Sequence, residues 1–284
     1  MTYTLRFTKA SGAGNDFVIL EGFRQDIPAD RGALARAVCH RQHGVGADGM
    51  LVLEPSGNTD FRMSYHNADG SYGGMCGNGG RCASMFAHLT GLAGAMLTFE
   101  ALDHIYAAHI AGDGVRLRMK DPGMFRPMSV EMPEGTHEGY FVDTGSPHFV
   151  IICDDVDKVD VNSIGAGLRH HAAFEPAGTN VDFVSMNGED AIRLRTYERG
   201  VENETLACGT GSVAGALIGA WKLGLSSPVR VRARSGEDLV VHFSSSRGGF
   251  TDIVLEGPAL MLFDGELEYS EDTGTIRSQP RISL

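Results

Sequence analysis

Hydrophobic residues follow two patterns along the chain. The first pattern, short runs that are apolar throughout or apolar at every second residue, predicts many strands. Short apolar or alternating runs, separated by glycine, proline and asparagine, are typical of strands joined by turns. In the first part of the chain these runs occupy residues 4–8, 17–20, 50–53, 61–65, 97–100, 105–110 and 115–119. In the second part they occupy residues 140–143, 149–153, 181–185, 192–197, 229–233, 239–243, 253–256 and 260–263.

The second pattern, at every third and fourth residue, predicts a small number of helices with one buried face. Two of them follow similar strings, MCGNGGR at residues 75–81 and ACGTGS at residues 207–212. Another begins after Asp30, whose side chain is suited to cap a helix that runs through Val38.

Cys76 and Cys208 therefore each lie at the N-terminus of a predicted helix. The unpaired backbone N–H groups and the positive end of the helix dipole stabilise an anion there. Such a position lowers the pKa of a thiol and makes thiolate available near neutral pH. The same N–H groups can hold the carboxylate of a substrate.

The two cysteines are 208 − 76 = 132 residues apart, and the same offset recurs elsewhere in the chain. Residues 14–19 (GNDFVI) fall on residues 146–151 (SPHFVI), and residues 46–48 (GAD) fall on residues 178–180 (GTN). This repetition predicts a duplicated domain. We expect an α+β fold with two pseudo-symmetric domains about a pseudo-twofold axis, the two cysteine-capped helices facing each other across a cleft.

Length and composition limit the remaining choices. The 284 residues favour two domains, with the string DPG at residues 121–123 as the predicted junction. A net charge of −12 argues against a nucleic-acid partner. Residues 1–19 contain no evident export signal, and no apolar run is long enough for a membrane span, so we expect a cytoplasmic protein without a membrane partner. Its 5 cysteines are then expected as reduced thiols.

Several strings, specific only when taken together, resemble those of one family. They run in order between residues 10 and 265 and comprise GNDFV (14–18), GVGADG (44–49), NADGS (67–71), MCGNG (75–79), PH (147–148), GTNV (178–181), ERG (198–200) and ETLACGTG (204–211). With these strings the chain resembles the diaminopimelate epimerases, which are two-cysteine epimerases that work without pyridoxal phosphate.

The resemblance implies the fold and reaction of that family. Each domain would be a barrel-like mixed β-sheet wrapped on a central helix, with Cys76 in residues 1–120 and Cys208 in residues 121–265. Residues 266–284 would supply a strand that returns to the first domain, followed by a polar tail. The implied reaction interconverts LL- and meso-diaminopimelate in the pathway to lysine and cell-wall precursors.

The chemistry of such a reaction explains why two cysteines are needed. Inverting an α-carbon removes a proton from one face and supplies one to the other, whereas a single base tends to return the proton to the same face. We expect one cysteine to act as thiolate base and the other as thiol acid. The backbone N–H groups of Gly77, Asn78, Gly209 and Thr210 would hold the substrate carboxylate.

The remaining site residues are carried over from the family one by one. The positions that match substrate-binding residues are Asn15, Asn67, Asn180, Glu198 and Arg199. Arg199 suits the distal carboxylate, and Glu198 with amide oxygens suits an ammonium group. His148 and Glu198 match residues near the thiols and are assigned to the catalytic group with them. The resemblance implies no metal and no cofactor, a small amino-acid substrate, and a homodimer as one expectation.

Simpler readings stay open beside this one. Cys76 and Cys208 would also be compatible with inert buried cysteines or a disulfide, and His148 with a core histidine. The asparagines would also suit turn caps, and Arg199 a surface ion pair. The alternative functions are a racemase of another amino acid on the same scaffold, a cysteine hydrolase using Cys76 with His148, and a binding protein without activity.

The sequence also departs from the family pattern at four places. Ser146 stands where an asparagine is common before Pro-His, and Gly49 where some members have glutamine. Residues 202–203 lengthen the loop before Cys208, and residues 73–74 replace a more acidic stretch. These differences leave the epimerisation core intact and bear on the choice of substrate.

Overall fold

The computed structural model describes residues 1–246 and 249–277. Its elements up to the predicted junction are β1 (Thr2–Gly12), β2 (Asn15–Glu21), α1 (Arg31–Cys39), β3 (Gly49–Glu54), β4 (Phe61–Asn67), α2 (Gly77–Leu89), β5 (Met96–Ala101), β6 (His104–Ala111) and β7 (Gly114–Arg118). After the junction they are β8 (Arg126–Met132), β9 (Gly135–Asp143), β10 (Pro147–Ile152), α3 (Val161–Arg169), β11 (Asn180–Met186), β12 (Ala191–Glu198), β13 (Asn203–Thr205), α4 (Gly209–Leu223), β14 (Val229–Arg232), β15 (Asp238–Ser246), β16 (Gly249–Pro258), β17 (Leu260–Ser270) and β18 (Thr275–Arg277).

The chain forms two compact units. Of the described residues, unit 1 contains 1–117 and those from Pro258 onward, and unit 2 contains those of Arg118–Gly257. The end of the predicted polar tail, residues 278–284, lies outside the described residues. The sequence placed the divisions after residues 120 and 265. The second division lies earlier in the structure because β17 is one continuous strand that pairs with β1 from Leu260 onward.

The two units share one strand plan. In unit 1, β1–β2 is antiparallel, β2–β3 parallel, β3–β4 antiparallel, β4–β5 parallel, and β5–β6 and β6–β7 antiparallel. In unit 2 the strands β9, β10, β11, β12, β14, β15 and β16 repeat this order of pairings. The sequence offset is visible in the register, because Phe17 pairs with Gly49 and Phe149 with Val181. The predicted α+β fold with two pseudo-symmetric domains is confirmed.

An eighth strand completes each unit, and in unit 1 it is the expected return strand, which begins at Leu260 rather than after residue 265. β17 pairs with the outer side of β1 in unit 1, and β8 pairs in the same way with β9 in unit 2. β8 directly follows the strands of unit 1 along the chain, and β17 directly follows those of unit 2. The strand that completes unit 2, β8, therefore follows β1–β7 of unit 1 in the chain, and the strand that completes unit 1, β17, follows β9–β16 of unit 2.

The helices that follow the two cysteines are the central helices of the units. Every residue of α2 from Gly77 to Ala87 is buried, and α2 packs against β1, β2, β3, β4, β6 and β17. α4 packs in the same way against β9, β10, β11, β12, β14 and β15. Burial on all sides is characteristic of a core helix rather than of an amphipathic surface helix. The first residues of both helices are thereby held rigidly inside a sheet.

Two further helices cover the outside of the sheets. α1 begins after Asp30, whose carboxylate accepts a hydrogen bond from Ala33 N at 2.8 Å, as the sequence predicted. α3 was not predicted, yet it begins after Asp160, which caps Ser163 N at 3.2 Å. Both helices have 9 residues and occupy the same place in the strand plan. Within the described ranges, no helix combines the length and the apolar character that a membrane span needs.

Candidate active site

Cys76 is the N-cap of α2 in unit 1. Its Sγ accepts a hydrogen bond from Gly79 N at 3.5 Å, and its carbonyl accepts one from Gly80 N at 2.8 Å. The N–H groups of Gly77 and Asn78 belong to the first turn, where no acceptor exists within the helix. The predicted position of Cys76 at a helix N-terminus is confirmed, and the thiol remains partly exposed.

Asn15 lies against Cys76 although 61 residues separate them in the chain. The hairpin between β1 and β2 turns through Ala13 (φ 57°) and Gly14 (φ 86°), a pair of positive φ angles that suits a two-residue turn. Asn15 is then the first residue of β2, and its Oδ1 lies 3.7 Å from Cys76 Sγ and 3.5 Å from Asn78 Nδ2. Asn15, Cys76 and Asn78 thus form one group.

A network of charged side chains holds the side-chain nitrogen of Asn15, on the opposite end of the amide from Cys76. Asp48 Oδ2 accepts from Asn15 Nδ2 at 2.6 Å, and Asp48 Oδ1 pairs with Arg41 at 2.6 Å. Asp16 pairs with Arg41 and with the buried Lys9. Burial raises the pKa of Asp16, but the hydrogen bonds from Lys9 and Arg41 outweigh it and hold the pKa below its ordinary value. The amide of Asn15 is therefore oriented with its oxygen toward the thiol.

Asn67 belongs to a turn at the end of β4. Its Nδ2 donates to Ser71 Oγ at 2.9 Å, and its backbone N–H donates to Ser71 O at 2.9 Å. The hydrogen bond of its side chain therefore stays within this turn. Its part in substrate binding stays a prediction.

Cys208 is the N-cap of α4 in unit 2 and repeats the geometry of Cys76. Its Sγ accepts from Gly211 N at 3.4 Å and lies 3.6 Å from Thr210 Oγ1. Only 5% of Cys208 is exposed. Burial raises the pKa of the Cys208 thiol well above its ordinary value, and the carboxylates of Glu198 and Asp182 raise it further. The sequence expectation of a lowered thiol pKa is wrong here, because burial outweighs the hydrogen bonds of the helix N-terminus.

His148 stands beside Thr210 in the fully buried interior of unit 2. Its Nε2 lies 2.9 Å from Thr210 Oγ1, and its Nδ1 lies 2.6 Å from Asp182 Oδ2. Asp182 Oδ1 accepts a further hydrogen bond from Thr196 Oγ1 at 2.6 Å. Neither His148 nor Asp182 is exposed to solvent. The structure thus brings together Cys208, Thr210 and His148, three residues that the sequence analysis named for the site. Asp182, which the sequence analysis did not name, contacts the other ring nitrogen of His148.

Sequence reasoning missed Asp182, although the signal was present. Asp182 is the single charged residue in the apolar run VDFV at residues 181–184. A lone carboxylate on a buried strand must find hydrogen-bond donors, because burying it without them is costly. Asp48 was quoted in the string GVGADG without a role, and its contact with Asn15 now supplies one.

Asn180 and Arg199 form a second group beside the first in unit 2. Asn180 Nδ2 donates to Ser146 Oγ at 3.0 Å and Pro147 O at 2.9 Å, and its Oδ1 accepts from Arg199 N at 2.8 Å. The guanidinium of Arg199 donates to Ala177 O at 3.2 Å and to Ser146 Oγ at 3.4 Å. The hydroxyl of Ser146 therefore links Asn180 to the guanidinium of Arg199.

The cavity of about 560 Å³ in unit 2 lies elsewhere and contains none of the predicted site residues. Four arginines line it, and each contacts a carboxylate: Arg193 with Asp157, Arg195 and Arg234 with Glu204, and Arg232 with Asp238. Among the residues that the structure describes, no group of three or more His, Cys, Asp and Glu side chains is arranged to hold a metal ion.

Comparison with known sequences decides the family. The profile of the family described as diaminopimelate epimerase matches residues 7–122 and 140–261. A diaminopimelate epimerase of Chlorobaculum tepidum is 47% identical over 262 residues, covering 90% of this chain and 99% of the relative. The chain belongs to the diaminopimelate epimerase family. Among other diaminopimelate epimerases, that of Aquifex aeolicus is 39% identical (93% and 98% covered) and that of Archaeoglobus fulgidus 40% (94% and 98% covered).

Solved structures with little sequence identity share the fold of this diaminopimelate epimerase family member. A hydroxyproline epimerase from Agrobacterium vitis superposes with a TM-score of 0.72 at 14% identity, covering 96% of this chain and 94% of that chain. A phenazine biosynthesis protein of the PhzF family from Bacillus anthracis superposes with a TM-score of 0.71 at 15% identity, covering 93% and 98%. These likenesses concern the fold alone.

Proposed function

We propose that this chain is a diaminopimelate epimerase in which Cys76 and Cys208 are the two acid–base groups. The protein is an isomerase that converts LL- to meso-diaminopimelate in lysine biosynthesis, the reaction named for its relatives. The observation that carries the assignment of the cysteines is their common geometry. Each thiol caps a central helix, and each accepts a hydrogen bond from the glycine three residues later.

The first demand of the reaction is a base and an acid on opposite faces of the α-carbon. Two thiols with the same helix-cap geometry, one from each unit, suit this demand. A thiolate removes the α-proton and becomes a thiol, while the other thiol gives its proton to the opposite face and becomes a thiolate. The reverse reaction exchanges the two roles. Two equivalent thiols, one from each half of a duplicated chain, suit a reaction that runs in both directions.

The second demand is stabilisation of the carbanion-like transition state. The α-C–H bond is weakly acidic, and charge passes into the adjacent carboxylate as the proton leaves. Fixed N–H donors aimed at that carboxylate lower the barrier. We assign this task to the first-turn N–H groups of Gly77 and Asn78 in α2 and of Gly209 and Thr210 in α4. Thr144 Oγ1 donates to Thr210 O at 3.0 Å and helps to fix that turn.

The third demand is recognition of the distal end of the substrate. Arg199 is half-buried, and in the described part of the chain its guanidinium has neutral oxygens as partners and is in no ion pair. A carboxylate is a stronger partner for a guanidinium than a hydroxyl or a carbonyl, and it is bound in a bidentate way. We therefore assign Arg199 to the distal carboxylate, with Glu198, Asn67 and the group around Asn15 available for the ammonium groups. Asn180 contributes by holding Arg199 N and Ser146 in place.

The setting of the enzyme is also a proposal. All five cysteines are free thiols, as is usual in a reducing compartment such as the cytoplasm. A homodimer stays a prediction, and the exposed side chains of Leu260, Leu262 and Phe263 on β17 are the surface that we would test first. Sedimentation of the purified protein, with and without charge introduced at Leu262, measures it.

The test of the function uses purified protein and LL-diaminopimelate without added cofactor. We expect meso-diaminopimelate to accumulate, and we expect the rate to survive exhaustive dialysis against EDTA. Cys76→Ala and Cys208→Ala should each remove the activity, whereas Cys153→Ala should not. Racemisation of an amino acid without a distal carboxylate, at a rate above that of diaminopimelate, would instead identify a racemase of another substrate.

A further inference from the structure

A continuous line of hydrogen-bonding groups connects Cys208 to a buried carboxylate in unit 2. From Cys208 Sγ it passes 3.6 Å to Thr210 Oγ1, and from there 2.9 Å to His148 Nε2. His148 Nδ1 lies 2.6 Å from Asp182 Oδ2. Thr196 Oγ1 donates to the other oxygen of Asp182 at 2.6 Å and fixes the far end of the line.

We propose that this line is a proton relay for Cys208, with Thr210 as the group that passes the proton and Asp182 as the positioning residue of His148. The proposal rests on the assignment of Cys208 as an acid–base group. Asp182, an acceptor in its ionised form, takes the hydrogen of Nδ1 and leaves Nε2 of His148 as an acceptor. The hydroxyl of Thr210 then donates to Nε2, and its oxygen is free to accept from the thiol.

The transfer moves two protons and forms no new bond between heavy atoms. The thiol proton of Cys208 passes to Thr210 Oγ1, and the hydroxyl proton of Thr210 passes to His148 Nε2. The products are a thiolate on Cys208 and an imidazolium on His148, whose charge Asp182 balances. When the thiolate has taken the α-proton of the substrate, Cys208 is a thiol again. The imidazolium proton can also return along the same path.

The surroundings of Cys208 explain why the thiol needs this help. Burial raises the pKa of Cys208, and carboxylates face it from two strands, Glu198 on β12 and Asp182 on β11. The hydrogen bonds from Thr210 and Gly211 N act in the opposite direction. Burial and the two carboxylates therefore disfavour the thiolate form of Cys208. His148, which comes from β10, is a base within two hydrogen bonds of it.

Unit 1 does not repeat these side chains. With the offset of 132, the positions of His148, Asp182 and Thr210 correspond to Asp16, Met50 and Asn78. The two halves have the same residues at the cysteines and at the glycines whose N–H groups bond to them. They differ at the three other positions of the relay, which are those of His148, Asp182 and Thr210. In unit 2 the glycine also makes room for the carboxylate, since a Cβ at Gly211 would lie 2.6 Å from Asp182 Oδ1. The relay is therefore a device of Cys208 alone.

The experiment measures the pH dependence of Cys208 alkylation by iodoacetamide, read on the Cys208 peptide by mass spectrometry. Thr210→Val removes the hydroxyl but keeps the backbone N–H, and Thr210→Ser keeps both. Thr205→Val is the matched control, because Thr205 Oγ1 is buried without a hydrogen-bond partner in the part of the chain that the structure describes. We expect the midpoint of Thr210→Val to rise by about one pH unit or more, and those of Thr210→Ser and Thr205→Val to stay at the wild-type value.

Turnover supplies a second measurement. Thr210→Val and Asp182→Asn should lower kcat on the order of 100-fold with KM retained, the size expected for loss of acid–base help. In Asp182→Asn the amide can donate to Nδ1 and leave Nε2 protonated, which blocks the relay. If Asp182→Asn does not fold, Thr210→Val decides alone. An alkylation midpoint of Thr210→Val equal to that of Thr205→Val overturns the relay. Inactivity of the wild-type protein on LL-diaminopimelate overturns the proposed function instead.

Discussion

Asn15 Nδ2 donates a hydrogen bond of 2.6 Å to Asp48 Oδ2, and this contact turns the amide oxygen of Asn15 toward Cys76 Sγ. Asp48 directly precedes β3 and is 33 residues from Asn15 in the chain. Its backbone N–H also donates to Asp16 Oδ1 at 2.9 Å. The strings GNDFV (14–18) and GVGADG (44–49) are thus joined by these hydrogen bonds into one network. Together they orient the side-chain amide of Asn15 so that its oxygen, and not its nitrogen, lies against the thiol of Cys76.

Removing the carboxylate of Asp48 should therefore weaken catalysis without removing any group near the substrate. We expect Asp48→Ala to lower kcat/KM for LL-diaminopimelate about tenfold, the value of one hydrogen bond to a charged group. Steady-state kinetics measure it. Asp157→Ala, which removes an exposed ion pair with Arg193 in unit 2, is the control and should leave the rate unchanged. Equal rates for the two variants would contradict the role of Asp48.

The two thiols should act on opposite configurations of the α-carbon. In Cys76→Ser and Cys208→Ser one thiolate is lost, since serine keeps its proton near neutral pH, and epimerisation should fall by at least about 100-fold. The remaining cysteine can still remove the α-proton on its own side. A β-halogenated substrate analogue then loses halide without needing the second thiol.

Halide release from each stereoisomer, measured with each variant, tests this division of roles. We expect the two variants to prefer opposite α-configurations. Cys153→Ser, which changes a half-buried thiol outside the site, should epimerise normally. A shared preference of Cys76→Ser and Cys208→Ser for one stereoisomer would rule out the two-base assignment.

Arg199 should set the preference for a substrate with a second carboxylate. Arg199→Lys keeps the charge but loses the planar, two-pronged geometry, so we expect kcat/KM for LL-diaminopimelate to fall on the order of 100-fold. The effect should appear mainly in KM. Arg193→Lys is the matched control, because Arg193 pairs with Asp157 and none of the proposed substrate groups. An unchanged KM in Arg199→Lys would remove Arg199 from substrate binding.

Stability should fall at alkaline pH because of a thiol away from the site. Burial raises the pKa of Cys39 from 9.0 to about 12. Between these values the unfolded chain releases the Cys39 proton and the folded chain keeps it. The free energy of unfolding should therefore decrease as pH rises above 9, by about 1.4 kcal/mol per pH unit from this group.

Urea denaturation between pH 8 and pH 10 measures that dependence. The tyrosines, whose pKa values burial raises from 10.0, contribute in the same way to the wild type and to the variant, so the comparison isolates Cys39. Averaged over this window, which is centred on the ordinary pKa of the thiol, Cys39→Ala should show a slope shallower than that of the wild type by about 0.7 kcal/mol per pH unit, half of the limiting value. Cys208 should contribute in the same direction, since burial also raises its pKa. Identical slopes for Cys39→Ala and the wild type would show that the thiol ionises equally in both states.

Much of the fold was readable from the sequence because hydrophobic spacing and turn residues are local signals. Most strands and the cysteine-capped helices followed from them, whereas β8, β13 and β18 were not predicted. The duplication followed from the offset of 132. α3 escaped because VNSIGAGLR has two glycines and a short apolar pattern, which gives a weak helical signal. The duplication itself contained the answer, since α1 and its Asp30 cap have their equivalent in α3 and Asp160.

The site was less predictable than the fold because its energetics depend on burial. The identities of Cys76, Cys208 and His148 came from short strings, and the helix positions of the cysteines are confirmed. The direction in which the pKa of Cys208 shifts could not be predicted from the sequence, because a short string of residues does not reveal how deeply a thiol is buried. The contact of Asp182 with His148 joins strands that are parallel neighbours, and this pairing is decided by tertiary structure.

The exchange of outer strands between the two runs of the chain has a consequence for synthesis on the ribosome. All strands of unit 2 have been synthesised once residue 257 has emerged from the ribosome. β1 is among the first segments synthesised, but its partner strand β17 (Leu260–Ser270) is among the last. An uncovered strand edge is a template for unwanted pairing with other chains. Translation therefore finishes the second half of this protein before the first, and the newborn β1 is the segment most in need of protection in the meantime.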